Sequence, residues 1–162
     1  MVEEGTDMTS PRAADLIALL DLARHPEGGW FRETWRAPAG PGKRGEGHAK
    51  ERASASLILF LLEMGQRSHW HCVDAAEIWL WHSGNALQLS TSTPESGTVN
   101  HALLGPDLMA GQFAQHVIAP GVWQAAEPLR GAFDYTLVSC VVSPGFEFSG
   151  FTLAPPGWHP LA

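Results

Sequence analysis

From residue 11 onward the apolar positions recur first at helical spacing and then at period two. Leu16, Ile17, Leu19, Leu20 and Leu22 form a broad apolar stripe, preceded by Ser10 and Pro11. A serine N-cap and a first-turn proline suit a helix start, so the pattern predicts one helix over Pro11–Leu22. The run His25-Pro26-Glu27-Gly28-Gly29 ends it, because proline and paired glycines break regular structure. Beyond that break, alternation and short apolar runs rich in β formers predict strands at Trp30–Arg36, Ser54–Leu62, Glu77–His82, Ala86–Thr91, Thr98–Leu104, Gln115–Ala119, Tyr135–Val142 and Glu147–Leu153. No helical pattern separates these segments, so parallel βαβ architecture is excluded and an antiparallel sandwich or barrel is expected.

A length of 162 residues fits one hydrophobic core. The expected organisation is a disordered tail over 1–10, a single domain over 11–154 and a C-terminal tail over 155–162. The 17 Gly, 12 Pro and 7 Trp supply turns and large rings, which agrees with an all-β chain. Residues 37–47 hold four glycines and two prolines and read as a surface loop, either a lid over a pocket or a plain hairpin connection. The net charge of -7 gives no concentrated basic surface, so neither nucleic acid nor an anionic membrane is an expected partner. No apolar run approaches the roughly 20 residues that span a bilayer, and residues 1–10 lack a secretory apolar stretch, so a cytoplasmic location is expected. Cys72 and Cys140 lie 68 positions apart among apolar neighbours and read as reduced core thiols.

The segment richest in chemistry is Gly65–Gly84, GQRSHWHCVDAAEIWLWHSG. Residues two apart in a strand share a face, so His69 and His71 are expected to project together with Trp70 opposite. Glu77 opens the next strand, with Trp79 and Trp81 on its side. Two imidazoles and a carboxylate suit two chemistries. They can hold a divalent transition metal with open positions, or a buried His–Glu pair can serve as general base and acid without one. Spacing does not choose between them.

His69, His71, Glu77 and Gly84 resemble the first motif of the cupin superfamily, and Pro120-Gly121-Val122-Trp123-Gln124 resembles its second. More narrowly, HPEGGWFRET at His25–Thr34, SHWHCVDAAEIWLWHSG at Ser68–Gly84, LGPDLMAGQ at Leu104–Gln112 and SPGFEFSGF at Ser143–Phe151 resemble a small, uncharacterised cupin family marked by HPEGG and RET. The resemblance implies a double-stranded antiparallel β-helix, a jelly-roll-like barrel with a short N-terminal helix, usually a homodimer, with the pocket in the barrel mouth. It implies His69, His71, Glu77 and Gln124 as the ligands if a metal such as iron, nickel, manganese or zinc is bound. Two departures stand out. Five residues separate His71 from Glu77 where the metal-binding motif has three or four, and Gln124 stands where the second motif has a histidine.

Further pocket candidates follow from alternation and from the motifs. Strict period two puts Phe31, Glu33 and Trp35 on one face of their strand and Arg32 on the other, with Arg32 suited to an anionic group. Substrate contacts are expected from Arg32, Glu33, Ser68, Trp79, Trp81, Trp123 and Gln124, with the tryptophans as walls on which a sugar ring stacks. His25, His48, His82, His101, His116 and His159 read as structural or solvated. Phe146 and Phe148 read as core residues by default, or as rings that close the barrel. The leading functional expectation is a non-redox isomerase, epimerase or lyase acting on a polar, sugar-derived metabolite, with His71 as base and Glu77 as its partner or the acid. The alternatives are a metal-dependent dioxygenase or decarboxylase and a non-catalytic ligand-binding or sensor barrel.

Overall fold

The computed structural model describes residues 11–39, 52–93 and 97–160. Ser10 and most of the 37–47 loop therefore lie outside the described residues, as does His48. Helix α1 (Ala13–Leu19) is shorter than the stripe predicted; its C-cap is Leu20, and the chain then turns through Asp21 at φ 52°. At its start Asp134 accepts the Ala13 N–H at 2.9 Å, satisfying a free helical donor.

Among the described residues eleven strands follow, all their pairings antiparallel, in two sheets. The first holds β1 (Ala23–Arg24), β2 (Trp30–Arg36), β3 (Ser56–Glu63), β10 (Tyr135–Ser143), β5 (Ala76–Gly84) and β8 (Gln115–Ile118), in that spatial order. The second holds β11 (Phe151–Leu153), β4 (Ser68–Val73), β9 (Trp123–Pro128), β6 (Leu87–Ser92) and β7 (Val99–Leu104). Phe60, Leu62, Trp79, Leu87, Leu89 and Val138 meet between the sheets as the main core. This is the all-β barrel expected, with β1, β4 and β9 added to the eight ranges read from pattern. The predicted 147–153 strand keeps only its last three residues, because a 3-10 turn occupies Phe148–Gly150.

The outer faces are covered too. Leu16, Ile17 and Leu20 of α1 pack on Leu61 and Tyr135 of the first sheet. On the second sheet the C-terminal segment folds back over Trp70 and Ala125, with Trp158 lying 4.5 Å from Trp123 between ring centroids.

Three β-bulges among the described residues decide where side chains point. Between Ser68 and His71, β4 carries one residue more than its partner β9, and between Glu33 and Trp35, β2 carries one more than β3. A third lies in β5 opposite Leu137 and Val138. Each extra residue reverses the alternation beyond it.

Candidate functional site

Side chains from both sheets converge on a cavity of about 130 Å³. That is close to the ~150 Å³ of a cavity that admits one benzene ring, so the space suits a compact ligand. Its deep end holds His25, Glu27, His71, Glu77 and Cys140; Phe31, Ile58, Val73 and Val142 form the walls; and Glu33, Arg36, Ser56, Phe146 and Phe148 complete the lining.

The bulge in β4 sends Ser68 and His71 inward together and turns His69 away. His69 Nε2 lies 2.9 Å from the Pro155 carbonyl, tying the C-terminal segment to the barrel, and Trp70 is buried beneath that segment. The two histidines therefore do not form the paired imidazole site that period two implied. His71 is fully buried; its Nδ1 donates to the His69 carbonyl at 2.8 Å and its Nε2 lies 3.3 Å from Glu27 Oε2. Burial holds its pKa below the ordinary value.

Glu27 is the residue that sequence reasoning missed. The His-Pro-Glu-Gly-Gly run breaks the helix, and it also delivers a buried carboxyl to the barrel floor. Gly28 has φ 110°, and a Cβ there would fall 2.2 Å from the Arg67 carbonyl oxygen; at Gly29, φ 77°, a Cβ would meet Leu62 at 2.7 Å. The turn is thus held against β3 and β4 so closely that only glycine fits. The Glu27 carbonyl accepts the His69 N–H at 2.8 Å, and its side chain accepts the Ser68 hydroxyl at 2.9 Å. Glu27 Oε2 also lies 3.7 Å from His25 Nδ1. Burial raises the Glu27 pKa and lowers that of His25. A glutamate between proline and two glycines was the available signal.

Glu77 lies on β5 facing inward. Its Oε2 accepts from Gln124 Nε2 at 2.6 Å, and Gln124 Oε1 in turn accepts the Trp79 indole N–H at 2.8 Å. Burial pushes Glu77 up to about 7; His71 opposes the rise, the charge of Glu27 adds to it, and hydrogen bonds from Gln124 and the Cys140 thiol oppose it. Cys140, a core thiol as expected, also lines the cavity, and burial with the two nearby carboxyls holds it well above the usual thiol range.

Other sequence candidates are dispersed. Trp79 is fully buried core and Trp81 donates to the Asn85 carbonyl while packing on the same core, so neither forms a cavity wall. Trp123 lies beside Trp158 in a separate surface groove with Ser92 and His159. Arg32 is exposed and outside the cavity lining. The bulge in β2 places Arg36 rather than Arg32 beside Glu33, which it binds through two hydrogen bonds at 2.8 and 2.7 Å. Arg36 also donates to the Phe146 carbonyl at 2.9 Å. Glu33 and Arg36 do line the cavity.

The set proposed for a metal does not fit one. His69 points elsewhere, and Gln124 has its oxygen engaged by Trp79 and its nitrogen directed at Glu77. Among the described residues no three His, Cys, Asp or Glu side chains are arranged to hold a metal ion.

The sequence profile of the Cupin superfamily (DUF985) matches residues 14–154. The chain belongs to the cupin superfamily. A protein from Shewanella oneidensis is 34% identical over 90% of this cupin and 85% of its own chain, with a TM-score of 0.77. A hypothetical protein from Leishmania major is 28% identical over 89% and 88%, with a TM-score of 0.76. CapF, solved with the inhibitor 3-isopropenyl-tropolone, shares the fold at 12% identity and a TM-score of 0.59, covering 92% of this chain and 36% of CapF. An oxalate decarboxylase from Bacillus subtilis does so at 12% identity and 0.56, covering 83% of this chain and 31% of its own. No curated protein matches the chain.

Proposed function

We propose that this cupin is a small-molecule enzyme that moves protons without redox chemistry: an isomerase, epimerase or lyase acting on a compact polar metabolite of sugar-like chemistry. The observation that carries the reading is the floor of the cavity, where an imidazole and two carboxyls are buried side by side with a carboxyl poised near neutrality. A group titrating near the working pH is the efficient proton donor or acceptor. Pairs of carboxyls in unlike surroundings are how one site supplies both an acid and a base.

Glu77 and the carboxyl–imidazole pair formed by Glu27 and His71 exchange protons with the substrate. The apolar walls exclude water and strengthen electrostatic interactions within. Arg36, half-exposed and paired with Glu33, meets the polar or anionic end of the ligand. The enzyme is expected to act in the cytoplasm as a homodimer, its exposed Leu108, Met109, Phe113 and Val117 offering apolar surface. Light scattering coupled to gel filtration checks the subunit number.

The test is deuterium incorporation. Small aldoses, ketoses and hydroxy acids are incubated with the protein in heavy water and followed by proton NMR. Exchange at a carbon beside a carbonyl is expected with at least one of them, and His71→Gln and Glu77→Gln should each slow it at least tenfold, the low end of general acid–base effects. A compound that binds the cavity and is neither exchanged nor converted would favour a binding module instead.

A further inference from the structure

His71 and Glu27 face each other through atoms that both accept hydrogen bonds. The His69 carbonyl can only accept, so the His71 nitrogen 2.8 Å from it, Nδ1, carries the ring's hydrogen. In the neutral ring Nε2 is then a bare lone pair. It lies 3.3 Å from Glu27 Oε2, whose companion oxygen already accepts from Ser68. Two buried acceptors at that distance need a proton between them. Buried polar atoms are as a rule hydrogen-bonded, and a proton between these two satisfies both.

Glu77 is received differently. The Gln124 amide and the Cys140 thiol both donate to it, an arrangement that favours the carboxylate. We propose that Glu27 carries a proton donated to His71 Nε2, so that Glu27 and His71 together are the acid of the site while Glu77 is its base. This rests on the proton-transfer reading above and adds to it a named role for the HPEGG turn. Burial acts in the same sense, since it raises Glu27 and lowers His71 and so favours the neutral pair. Glu27 gives up this proton itself, since both ring nitrogens of His71 are engaged; His71 is the positioning residue, whose Nε2 holds the proton in place.

The step balances. Glu77 takes a proton from the carbon beside a substrate carbonyl, and the electron pair of that C–H bond becomes the carbon–carbon double bond of an enol. The carbonyl oxygen takes the proton held between Glu27 and His71. Where that carbon bears a hydroxyl, as in an aldose or ketose, Glu77 returns its proton to the former carbonyl carbon while the hydroxyl gives its proton to Glu27, so the carbonyl moves by one carbon and the enzyme is restored.

The test needs no substrate. Infrared difference spectra are recorded on the wild type, Glu27→Gln and Glu77→Gln, at a pH well above the value of about 7 for Glu77. A protonated-carboxyl band is expected in the wild type and in Glu77→Gln and should vanish in Glu27→Gln. Its absence from the wild type, or its loss in Glu77→Gln alone, overturns the proposal. Should Glu27→Gln fail to fold, nitrogen-15 NMR of histidine-labelled wild type decides, with the His71 signal assigned through His71→Gln. A neutral ring protonated at Nδ1 is expected, and an imidazolium refutes the assignment. Because neither measurement involves turnover, failure of the deuterium assay leaves this result standing, and loss of the band refutes the acid even where exchange occurs.

Discussion

Substituting Glu77 by glutamine should remove a pH dependence of stability that the fold otherwise imposes. The Glu77 side chain is buried, and its pKa stands at about 7 against an ordinary 4.5. At about 1.4 kcal/mol for each tenfold change in proton affinity, ionising this group in the folded protein costs about 3 kcal/mol more than in the unfolded chain. The sign follows from proton uptake. Folded Glu77 binds its proton more tightly than unfolded Glu77, so its contribution is complete below 4.5 and is lost as pH rises through about 7. His25 and His71 act oppositely, since their lowered values cost stability as pH falls below the ordinary 6.5, but wild type and variant share them. Glutamine keeps an oxygen for the Gln124 amide. Urea denaturation at a series of pH values, fitted with a common slope, should therefore show the variant gaining about 3 kcal/mol relative to wild type between about pH 4 and about pH 8. Parallel curves, with a difference constant to about 0.5 kcal/mol, would mean that Glu77 ionises freely in the fold and would refute the reasoning.

Gly28→Ala should destabilise by at least about 2 kcal/mol, as alanine meets both a left-handed φ and a carbonyl oxygen at 2.2 Å; thermal unfolding measures the loss, and a wild-type midpoint would show that the turn can shift. Gln124→Leu strips the partner from a buried indole N–H and a donor from a buried carboxyl, an expected loss of about 2–5 kcal/mol by denaturation, the indole and carboxyl each left short of a bond. Trp158→Ala removes ring contacts with Trp70 and Trp123 and should cost about 1–2 kcal/mol while leaving cavity binding unchanged. An altered cavity affinity in that variant would link the tail to the site.

The barrel was legible because its evidence is distributed: alternation, turn residues and missing helical crossovers repeat along the whole chain. Strand β9 escaped because Trp123–Pro128 is WQAAEP, two small alanines and a terminal proline in place of branched or aromatic residues, and it is held by pairing with β4 and β6 rather than by propensity. The site was legible only in part. His71 and Glu77 do line the cavity. His69 and Arg32 do not: the extra residue in β4 turns His69 away, whereas Arg32 faces outward by plain alternation with Phe31 and Glu33, and the extra residue in β2 brings Arg36 into the cavity instead. A bulge leaves no mark in a hydrophobic pattern until the partner strand is known, yet it moves every later side chain to the other face. Glu27 was hidden for a different reason: the signal of a helix breaker and the signal of a carboxyl-delivering turn are the same residues.

The role of Trp79 shows how such a local reading can be right about a residue's importance and wrong about its contact. Read along the sequence it is a wall for a sugar ring; in the fold it is buried core outside the cavity lining. An indole N–H can only donate, so the Gln124 atom that receives it at 2.8 Å must be the amide oxygen. That fixes the amide, whose two ends are otherwise interchangeable, with its nitrogen toward Glu77 at 2.6 Å. A carboxyl offered an N–H is favoured as the carboxylate, while Glu27, across the cavity floor, is offered a lone pair by His71 and is favoured as the acid. The tryptophan thus sets the direction of a hydrogen-bond chain, and that direction separates the two glutamates into base and acid. Replacing Trp79 by phenylalanine, which keeps the ring and removes the donor, should free the amide to flip and lower the proton affinity difference between the two carboxyls. The infrared band of Glu27 would then lose its selectivity, with Glu77→Gln also diminishing it; a band still governed by Glu27 alone would show that the direction is set elsewhere.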